Sequence, residues 1–457
     1  MNQTDATNGT SEQPGGALAG VRVIDCTDYI AGPYCGMMLA DLGADVIKVE
    51  PTTGDRWRLQ SQVAPGESRG FLAMNRGKRG IAVDLHRPEG LALLLRLLDG
   101  ADVFLTNFRP GVAERLGLGW EQLSARNPRL IYAENTAFGS EGPDAARPGF
   151  DLLSQAASGL LDYEQKLRNG LPAPISSTAL ADVSSGMFLA YGIAGALYAR
   201  ERSGRGQRIA GSLLHAAISV QYRPFQSVES IDAAPRAALL EALAARSAPE
   251  PQTATGDGAG TATAAPPRSY AEIVALREAM LPGRAMGNAG NTYYRPYETR
   301  DGIVCVACLN NRFRRRLRDL LGIADPSVDG DTYALNDPDA RAAALALRPQ
   351  FEAAFRERTT AEWLRLLDEA DVPCTPLRLT EEVFDSPQIA ANEMIVTLEH
   401  PTLGTLRQPA GPLRMSDTPY GSRRAAPTLG QHTDAVLAEA GLSPNEVAAL
   451  HASGVVR

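Results

Sequence analysis

One aspartate in this sequence lies where a carboxylate can do chemistry. Asp182 belongs to the segment Leu180-Ala-Asp-Val-Ser-Ser-Gly-Met187, which opens an apolar helix whose small residues permit close packing. A carboxylate at the amino end of a helix is stabilised by the helix dipole, which keeps it ionised at neutral pH. An ionised carboxylate can attack as a nucleophile and form a covalent intermediate. The same pattern predicts an ordinary helix cap, so both interpretations of Asp182 stay open.

A second group of candidate residues follows a predicted strand. The segment Asn107-Phe-Arg-Pro-Gly111 comes after the strand 102–106, at the end where open α/β sheets bind their ligands. An amide, an aromatic ring and the guanidinium of Arg109 or Arg115 can together bind a nucleotide. A β–α turn with a buried Phe108 explains the same residues, and this alternative stays open.

The loop before the predicted strand 80–84 is rich in basic side chains. These residues predict either a solvated loop or a surface that faces phosphate groups. They are Arg56, Arg58, Arg76, Lys78 and Arg79.

Several kinds of site lack the motifs that they need. No G-x-G-x-x-G follows the first strand, and there is no P-loop and no H-E-x-x-H. The five histidines are scattered, so no metal site is predicted. Cys305-Val-Ala-Cys308 lies on a predicted strand whose positions i and i+3 point to opposite faces, which indicates buried cysteines instead of zinc ligands.

The bulk composition narrows the class of protein. The 457 residues are 44% hydrophobic and carry a net charge of −8, which argues against nucleic-acid binding. No apolar run approaches the roughly 18 residues that span a bilayer, so no membrane partner is expected. An odd count of five cysteines fits reduced thiols, and a cytoplasmic location is the expectation.

The elements that must position these residues alternate between strand and helix. Strands are predicted at 21–25, 45–50, 80–84, 102–106 and 129–133. Helices are predicted at about 33–42, 88–98 and 186–202. This alternation predicts a doubly wound α/β domain.

The composition changes near residue 233 and divides the chain. Residues 1–17 are expected to form a disordered tail, and 18–232 the first part of a large domain. The segment 233–284 is predicted to be a linker with an exposed Ala/Pro/Thr-rich insertion at 247–267. A small α/β domain is predicted over 285–375, with a strand at 302–309 and helices at 312–321 and 360–370. Residues 376–457 are expected to return to the large domain and to include a helix at 434–439.

An ordered series of segments resembles the family III coenzyme A transferases, the group that contains formyl-CoA and carnitine CoA transferases. The resemblance is strong over residues 18–230 and looser over 285–457. The segments that carry it are Leu18-Ala-Gly-Val-Arg-Val-Ile-Asp25, Ala31-Gly-Pro33, Leu42-Gly-Ala-Asp-Val-Ile-Lys-Val-Glu-Pro51, Gly54-Asp55, Asn75-Arg-Gly-Lys-Arg79, Asp84-Leu85, Asn107-Phe-Arg-Pro-Gly111, Asn127-Pro-Arg-Leu-Ile131, Gly149-Phe-Asp151 with Gln155, Asp182 with Gly186, Ser203-Gly-Arg-Gly-Gln207 and Pro427-Thr-Leu-Gly430.

The resemblance implies a role for each candidate residue. Asp182 matches the aspartate that attacks the acyl-CoA thioester, forms a mixed anhydride and releases the CoA thiolate. Asp151 matches a second acidic residue, which orients the substrate or the surroundings of the nucleophile. Coenzyme A is then a substrate, and no permanently bound cofactor is expected. The positions that match the family's CoA contacts are Ile30, Ala31, Val83, Asn107, Phe108 and Arg115.

The resemblance also implies the architecture and the partners. The expected fold is a large Rossmann-like domain built from both ends of the chain, with a smaller α/β domain inserted between them. Two copies are expected to form an interlocked homodimer, in which each chain threads through a hole in the other. The expected partners are acyl-CoA and small carboxylic acids.

Three positions depart from the patterns of relatives in the same fold. A glutamine that the formyl-CoA transferases use is Ile30 here, and their glycine-rich loop is only hinted at by Gly287-Asn-Ala-Gly290. The α-methylacyl-CoA racemases place a histidine immediately before the position of Asp151, but Phe150 stands there, which removes one of the two bases. The alternatives to CoA transfer are such a racemase or isomerase and a non-catalytic acyl-CoA-binding protein.

Overall fold

A computed structural model describes residues 15–164, 166–174, 178–244, 269–281, 291–330, 338–422 and 424–457. The predicted insertion at 247–267 and the segment Gly287–Gly290 lie outside the described residues. The chain divides into two compact units. The first comprises the residues up to Lys166, Pro172–Phe225 and Pro387–Arg457, and the second comprises Leu167–Leu171 and Gln226–Ser386.

The strands in the described residues are Arg22–Cys26 (β1), Asp45–Glu50 (β2), Gln62–Ala64 (β3), Glu67–Ser68 (β4), Arg79–Ala82 (β5), Val103–Thr106 (β6), Ile131–Thr136 (β7), Leu167–Arg168 (β8), Leu171–Pro172 (β9), Arg208–Ser212 (β10), Tyr294–Glu298 (β11), Ile303–Ala307 (β12), Cys374–Pro376 (β13), Ile395–His400 (β14) and Gly404–Pro409 (β15).

The helices are Ala31–Asp41 (α1), Arg69–Met74 (α2), Pro88–Asp99 (α3), Val112–Arg115 (α4), Trp120–Arg126 (α5), Asp151–Ala157 (α6), Leu160–Tyr163 (α7), Leu180–Ser203 (α8), Leu213–Ser219 (α9), Glu229–Ala244 (α10), Tyr270–Met280 (α11), Asn311–Leu321 (α12), Pro338–Ala346 (α13), Arg348–Arg356 (α14), Thr360–Glu369 (α15), Thr380–Val383 (α16), Pro387–Ala391 (α17), Thr433–Glu439 (α18) and Pro444–Ala452 (α19). Short 3-10 turns lie at Arg56–Leu59 and Pro326–Val328.

The first unit is organised around a six-stranded sheet in the order β10-β7-β6-β1-β2-β5. Every neighbouring pair is parallel. By position along the chain, these strands give the order 6-5-4-1-2-3, which is the doubly wound arrangement that the alternating elements predict. The order reverses between β1 and β6, so the crevice at their carboxyl ends is where such a sheet binds a ligand.

Helices cover both faces of this sheet, which explains why its strands are apolar on both sides. On one face, Ile24 and Phe104 pack against leucines of α3 and against Val436 of α18. On the other face, Val23 and Leu105 pack against residues of α1 and α8.

Helix α8 starts at Leu180, as the segment around Asp182 predicts and six residues before the predicted run 186–202. Its C-cap is Gly204, in the left-handed conformation with φ 70°. Gly186 permits the close packing of α8 on α1, because a Cβ there would lie 2.6 Å from the carbonyl oxygen of Ala31. The earlier start places Asp182 in the first turn of the helix.

Helix α8 is also long and apolar enough, by length and composition alone, to cross a membrane. It has 24 residues, and its most apolar window has a mean hydropathy of 1.4. This corrects the expectation that no apolar run comes near that length. Half of the window is buried, and the helix contacts α1, α9, β7 and β10. This is the packing of a helix in the core of the unit.

The second unit contains an antiparallel sheet in the order β11-β12-β13. Its core includes Tyr297, Phe351, Phe355 and Trp363. Helix α11 and most of α10, which begins at Glu229, lie in the 233–284 segment, where the sequence predicts a linker. The alanine-rich sequence of α10 and a Ser269 capping box on α11 favour helix there.

The cysteines on and beside β12 do not form a pair. Cys305 is half-buried on the strand, Cys308 is buried just beyond its end, and both are free thiols. Among the described residues, no group of His, Cys, Asp or Glu side chains is arranged to hold a metal ion.

Candidate functional site

Two loops meet at the point where the strand order reverses. One follows β1 and the other follows β6, and the side chain of Asn107 joins them. The amide of Asn107 donates to the carbonyl oxygen of Asp28 at 2.9 Å, and its oxygen accepts the main-chain N–H of Asp28 at 3.1 Å. The amide that the sequence offers to a nucleotide therefore fastens the β1 loop to the β6 loop.

The residues after β1 lead directly to the amino ends of two helices. Ile30 stands at the N-cap of α1 and accepts the N–H of Tyr34 through its carbonyl oxygen at 2.7 Å. Ala31 is buried in a small cluster with Ala181, Leu213 and Ala217. This cluster brings the start of α1 against the start of α8, and so packs Ala31 with Ala181, the residue before Asp182.

The two candidate acids interact across 31 positions of sequence. Asp151 Oδ1 accepts the main-chain N–H of Ala181 at 2.7 Å and that of Asp182 at 3.3 Å. Gln155 donates to the other oxygen of Asp151 at 2.5 Å. Ala179, the N-cap of α8, makes no side-chain cap. Asp151 therefore caps the helix, and the prediction that Asp182 is the cap is wrong.

The carboxylate of Asp182 has an unusual electrostatic setting as a result. It is half-buried, and no hydrogen bond to it comes from the described residues. Burial and, secondly, the charge of Asp151 raise the pKa of Asp182 to about 7. The sequence predicts an ionised group held by the helix dipole, but the helix end is already occupied by Asp151. A carboxylate with a raised pKa is more basic, and so a stronger nucleophile once it is ionised.

Aromatic side chains stand beside the two acids. Phe150, immediately before Asp151, is 54% exposed. Its ring meets that of Tyr29 edge-on, with centroids 5.5 Å apart, and Tyr29 lies 5.9 Å from Trp57. Because a phenylalanine cannot exchange a proton, position 150 supplies no base next to Asp151.

The remaining predicted CoA contacts lie in different settings. Phe108 packs partly buried on the sheet core. Arg115 and Arg109 are exposed, and neither guanidinium is paired within the described part of the chain. The Val83 side chain is 1% exposed and the residue bridges to Val456, so that side chain belongs to the core.

The basic loop before β5 proves to be mostly interior, so neither sequence interpretation holds for its buried members. Arg58 pairs with Glu50 and Glu67, Arg76 with Asp41, and Lys78 with Asp25, at distances from 2.5 to 3.0 Å. Arg79 pairs with Asp45 and Glu439. Arg56 alone is largely exposed. The sequence missed these pairs because the acids lie on other elements.

Comparison with known proteins places the chain in a family. Residues 18–258 and 237–433 match CoA-transferase family III. The chain is 31% identical to an acetyl-CoA:oxalate CoA-transferase of Acetobacter aceti, over 95% of this chain and 98% of the relative. It is 30% identical to a human succinyl-CoA:glutarate CoA-transferase, over 92% of this chain and 85% of the relative. Its structure resembles that of a CAIB/BAIF family protein from Brucella suis, with a TM-score of 0.70, 29% identity, and coverage of 94% and 100%.

Proposed function

Because the chain belongs to CoA-transferase family III and is an enzyme that transfers CoA, we propose that it uses Asp182 as a covalent nucleophile. CoA moves from an acyl-CoA donor to a free carboxylic acid. The arrangement of Asp151 and Asp182 at the start of α8 is the observation that carries this proposal.

The proposed reaction converts the donor thioester into an anhydride on Asp182 and then returns CoA to the acceptor as a new thioester. A carboxylate oxygen of Asp182 attacks the acyl carbonyl carbon, and the C–S bond breaks to release the CoA thiolate. The thiolate then attacks the β-carbonyl of the aspartyl anhydride, which releases the donor acid and leaves an aspartyl-CoA thioester. The acceptor carboxylate reverses these steps, so that CoA leaves on the acceptor and Asp182 is restored. Each step needs only carboxylates and a thiolate.

The geometry supports this use of the two acids. The main-chain N–H groups of Ala181 and Asp182 are taken by Asp151, so the carboxylate of Asp182 is left without those donors. Asp151 thereby fixes the first turn of α8, and its charge adds to burial, the larger cause, in raising the pKa of Asp182. We therefore propose that Asp151 positions the nucleophile and takes no part in bond formation.

The proposed CoA site lies at the crevice where β1 and β6 separate. Ile30, Ala31, Asn107 and Phe108 lie on the two loops that bound it. The guanidinium of Arg115, which is exposed and has no ion-pair partner in the described part of the chain, is suited to a phosphate or pyrophosphate group. Because the named relatives act on oxalate and glutarate, we propose a small carboxylic acid as acceptor.

We also propose that two copies associate, and that the enzyme works in the cytoplasm. Helix α8 carries exposed apolar side chains at Met187, Phe188, Tyr191 and Tyr198, and Tyr191 is 82% exposed. A large apolar surface of this kind is typical of an interface between protein chains. Light scattering of the full chain tests the association: a monomer at micromolar concentration contradicts it.

The five cysteines are free thiols, which fits the proposed cytoplasmic location because the cytoplasm is a reducing compartment.

The decisive experiment traps the aspartyl intermediate. Full-length enzyme is incubated with a panel of acyl-CoA donors and then with hydroxylamine, and the peptide with Asp182 is examined by mass spectrometry. We expect an aspartyl hydroxamate at Asp182 and new thioesters when free acids are added. Full transfer activity in Asp182→Ala contradicts the proposed nucleophile.

The same samples in deuterated water separate the alternatives. A racemase exchanges the α-proton of its acyl-CoA without an acceptor acid, and Phe150 takes the place of one of the two bases for that step. A binding protein retains acyl-CoA without any new thioester. We expect acid-dependent thioester formation and no acid-independent exchange of the α-proton.

A further inference from the structure

The loop between β1 and α1 has a strained backbone. Tyr29 has a φ of 65°, in the left-handed region that a bulky side chain rarely adopts. Such a conformation persists only where surrounding groups hold it, and it is common at functional sites. In the proposed function this loop carries Ile30 and Ala31 against the acyl-CoA. The groups that hold the loop in this conformation therefore affect the binding of acyl-CoA.

Buried polar groups fix the loop on each side of Tyr29. The Lys48 ammonium, which is fully buried, donates to the carbonyl oxygen of Thr27 at 2.6 Å. Its second partner is Asp55 Oδ2, at 2.8 Å. The other oxygen of Asp55 accepts the N–H of Trp57 at 2.8 Å and lies 3.4 Å from the N–H of Tyr29. Lys48 and Asp55 thus form one unit that reaches both the start of the loop and its strained residue.

The side chain of Lys48 is protonated in this buried position. Burial by itself lowers the pKa of the ammonium, but the charges of Asp55, Asp25 and Glu50 outweigh burial and raise the pKa above its ordinary value. The ammonium is therefore ionised at neutral pH. A charged donor makes a stronger hydrogen bond to a carbonyl oxygen than a neutral one does.

We propose that Lys48 is a positioning residue for the transfer reaction, holding the strained β1–α1 loop in the conformation that accepts the acyl-CoA. This inference rests on the proposed function, since that function places the acyl-CoA against Ile30 and Ala31. Lys48 is remote from the reacting atoms in this role. It acts through the carbonyl of Thr27 and the carboxylate of Asp55.

The test removes the anchor without leaving a buried charge unpaired. Lys48→Met combined with Asp55→Asn deletes the ammonium and keeps an oxygen for the N–H groups of Tyr29 and Trp57. The matched control is Arg76→Met with Asp41→Asn. That pair is equally buried, with a 2.5 Å contact, and lies at the far end of α1. Both double variants lose one interior ion pair, so a general loss of stability affects both.

Two measurements on the full-length chain decide the question. Amide hydrogen exchange over residues 27–34, without ligand, is expected to quicken roughly ten- to hundredfold in the Lys48 pair only. The dissociation constant for acetyl-CoA is expected to rise by about tenfold or more in the same variant and to stay within about twofold in the control. Equal exchange in both variants, or faster exchange with unchanged affinity, overturns the inference.

The wild-type chain distinguishes failure of the proposed function from failure of the positioning role. If the wild-type chain does not bind acetyl-CoA at all, the proposed function is contradicted and the positioning role falls with it. That result is read from the wild type alone. If the wild type binds and the Lys48 pair binds equally well, only the positioning role is wrong.

Discussion

Two sets of carboxylates in the same unit, one buried and one half-buried, have opposite electrostatic surroundings. Around β1 and β2, each acid faces a cation: Asp25 meets Lys78 at 2.8 Å, and Asp55 meets Lys48 at 2.8 Å. At the start of α8, Asp182 faces another acid, Asp151. Burial raises the pKa of any carboxyl group, but Lys78 and Lys48 lower that of Asp25 below its usual value. No cation among the described residues counters burial at Asp182.

The acids that face cations serve the structure, and the acid that faces another acid is suited to chemistry. Paired charges hold the β1 loop, and removing one partner destabilises the fold because it leaves an uncompensated buried charge. An acid without a cation costs stability and gains reactivity, as is common at active sites.

The largest effect is expected from Asp182→Asn. This variant keeps the size of the side chain but cannot form the anhydride, so CoA transfer should fall by at least about a thousandfold. Because the pKa of Asp182 lies above its usual 3.8, the folded chain holds the proton more tightly than the unfolded chain does. The carboxylate therefore destabilises the fold increasingly as the pH rises from about 4 to about 7.

The stability of this variant gives an independent readout. The midpoint of thermal unfolding at pH 8 should be higher in Asp182→Asn than in the wild type. Asp434→Asn is the control, since Asp434 is another first-turn aspartate, paired at the surface with His451. An Asp182→Asn enzyme that is fully active contradicts the proposed nucleophile, and one that is less stable at pH 8 contradicts the raised pKa of Asp182.

The next effect is expected from Lys78→Met. The substitution leaves Asp25 buried without its nearest cation, so the free energy of unfolding should fall by about 3–5 kcal/mol. Chemical denaturation at pH 7 measures this change. A loss below about 1 kcal/mol would show that the buried pairs contribute little to stability.

A smaller effect is expected in the pH dependence of catalysis. With the pKa of Asp182 at about 7, kcat/KM should rise with pH through neutrality and level off above it. Asp151→Asn removes the neighbouring charge but keeps an oxygen to cap α8. Since burial is the larger cause, the acid limb should move down by only about one pH unit. An unmoved limb would show that burial alone sets the pKa of Asp182.

The smallest effect is expected from Arg115→Gln. The guanidinium is exposed and unpaired among the described residues, so its loss should leave unfolding unchanged. It should raise KM for the acyl-CoA by about tenfold through one lost phosphate contact. Arg126→Gln is the control, because Arg126 is an exposed arginine paired with Asp99. Equal KM values in the two variants would remove Arg115 from the binding site.

Much of the fold followed from local patterns. The strands near 45–50 and 102–106, helix α3 and the alternation of the parallel sheet were predicted, because apolar periodicity and turn residues are short-range properties. Helix α19 was missed although Ser443 and Glu446 form a capping box. The linker assigned to 233–284 overlooked α10 and α11, since their alanine-rich sequence is weakly amphipathic.

The sequence alone supplied the residues of the proposed site and the resemblance to the family. It named Asp182, Asp151 and the loops after β1 and β6, since these lie in local motifs. Only the tertiary structure decided that Asp151 caps α8, that Asp182 is left basic, and that Lys78 faces Asp25 instead of solvent. The reason is physical: hydrogen bonds and burial depend on neighbours that are distant in the chain and are brought close only by packing.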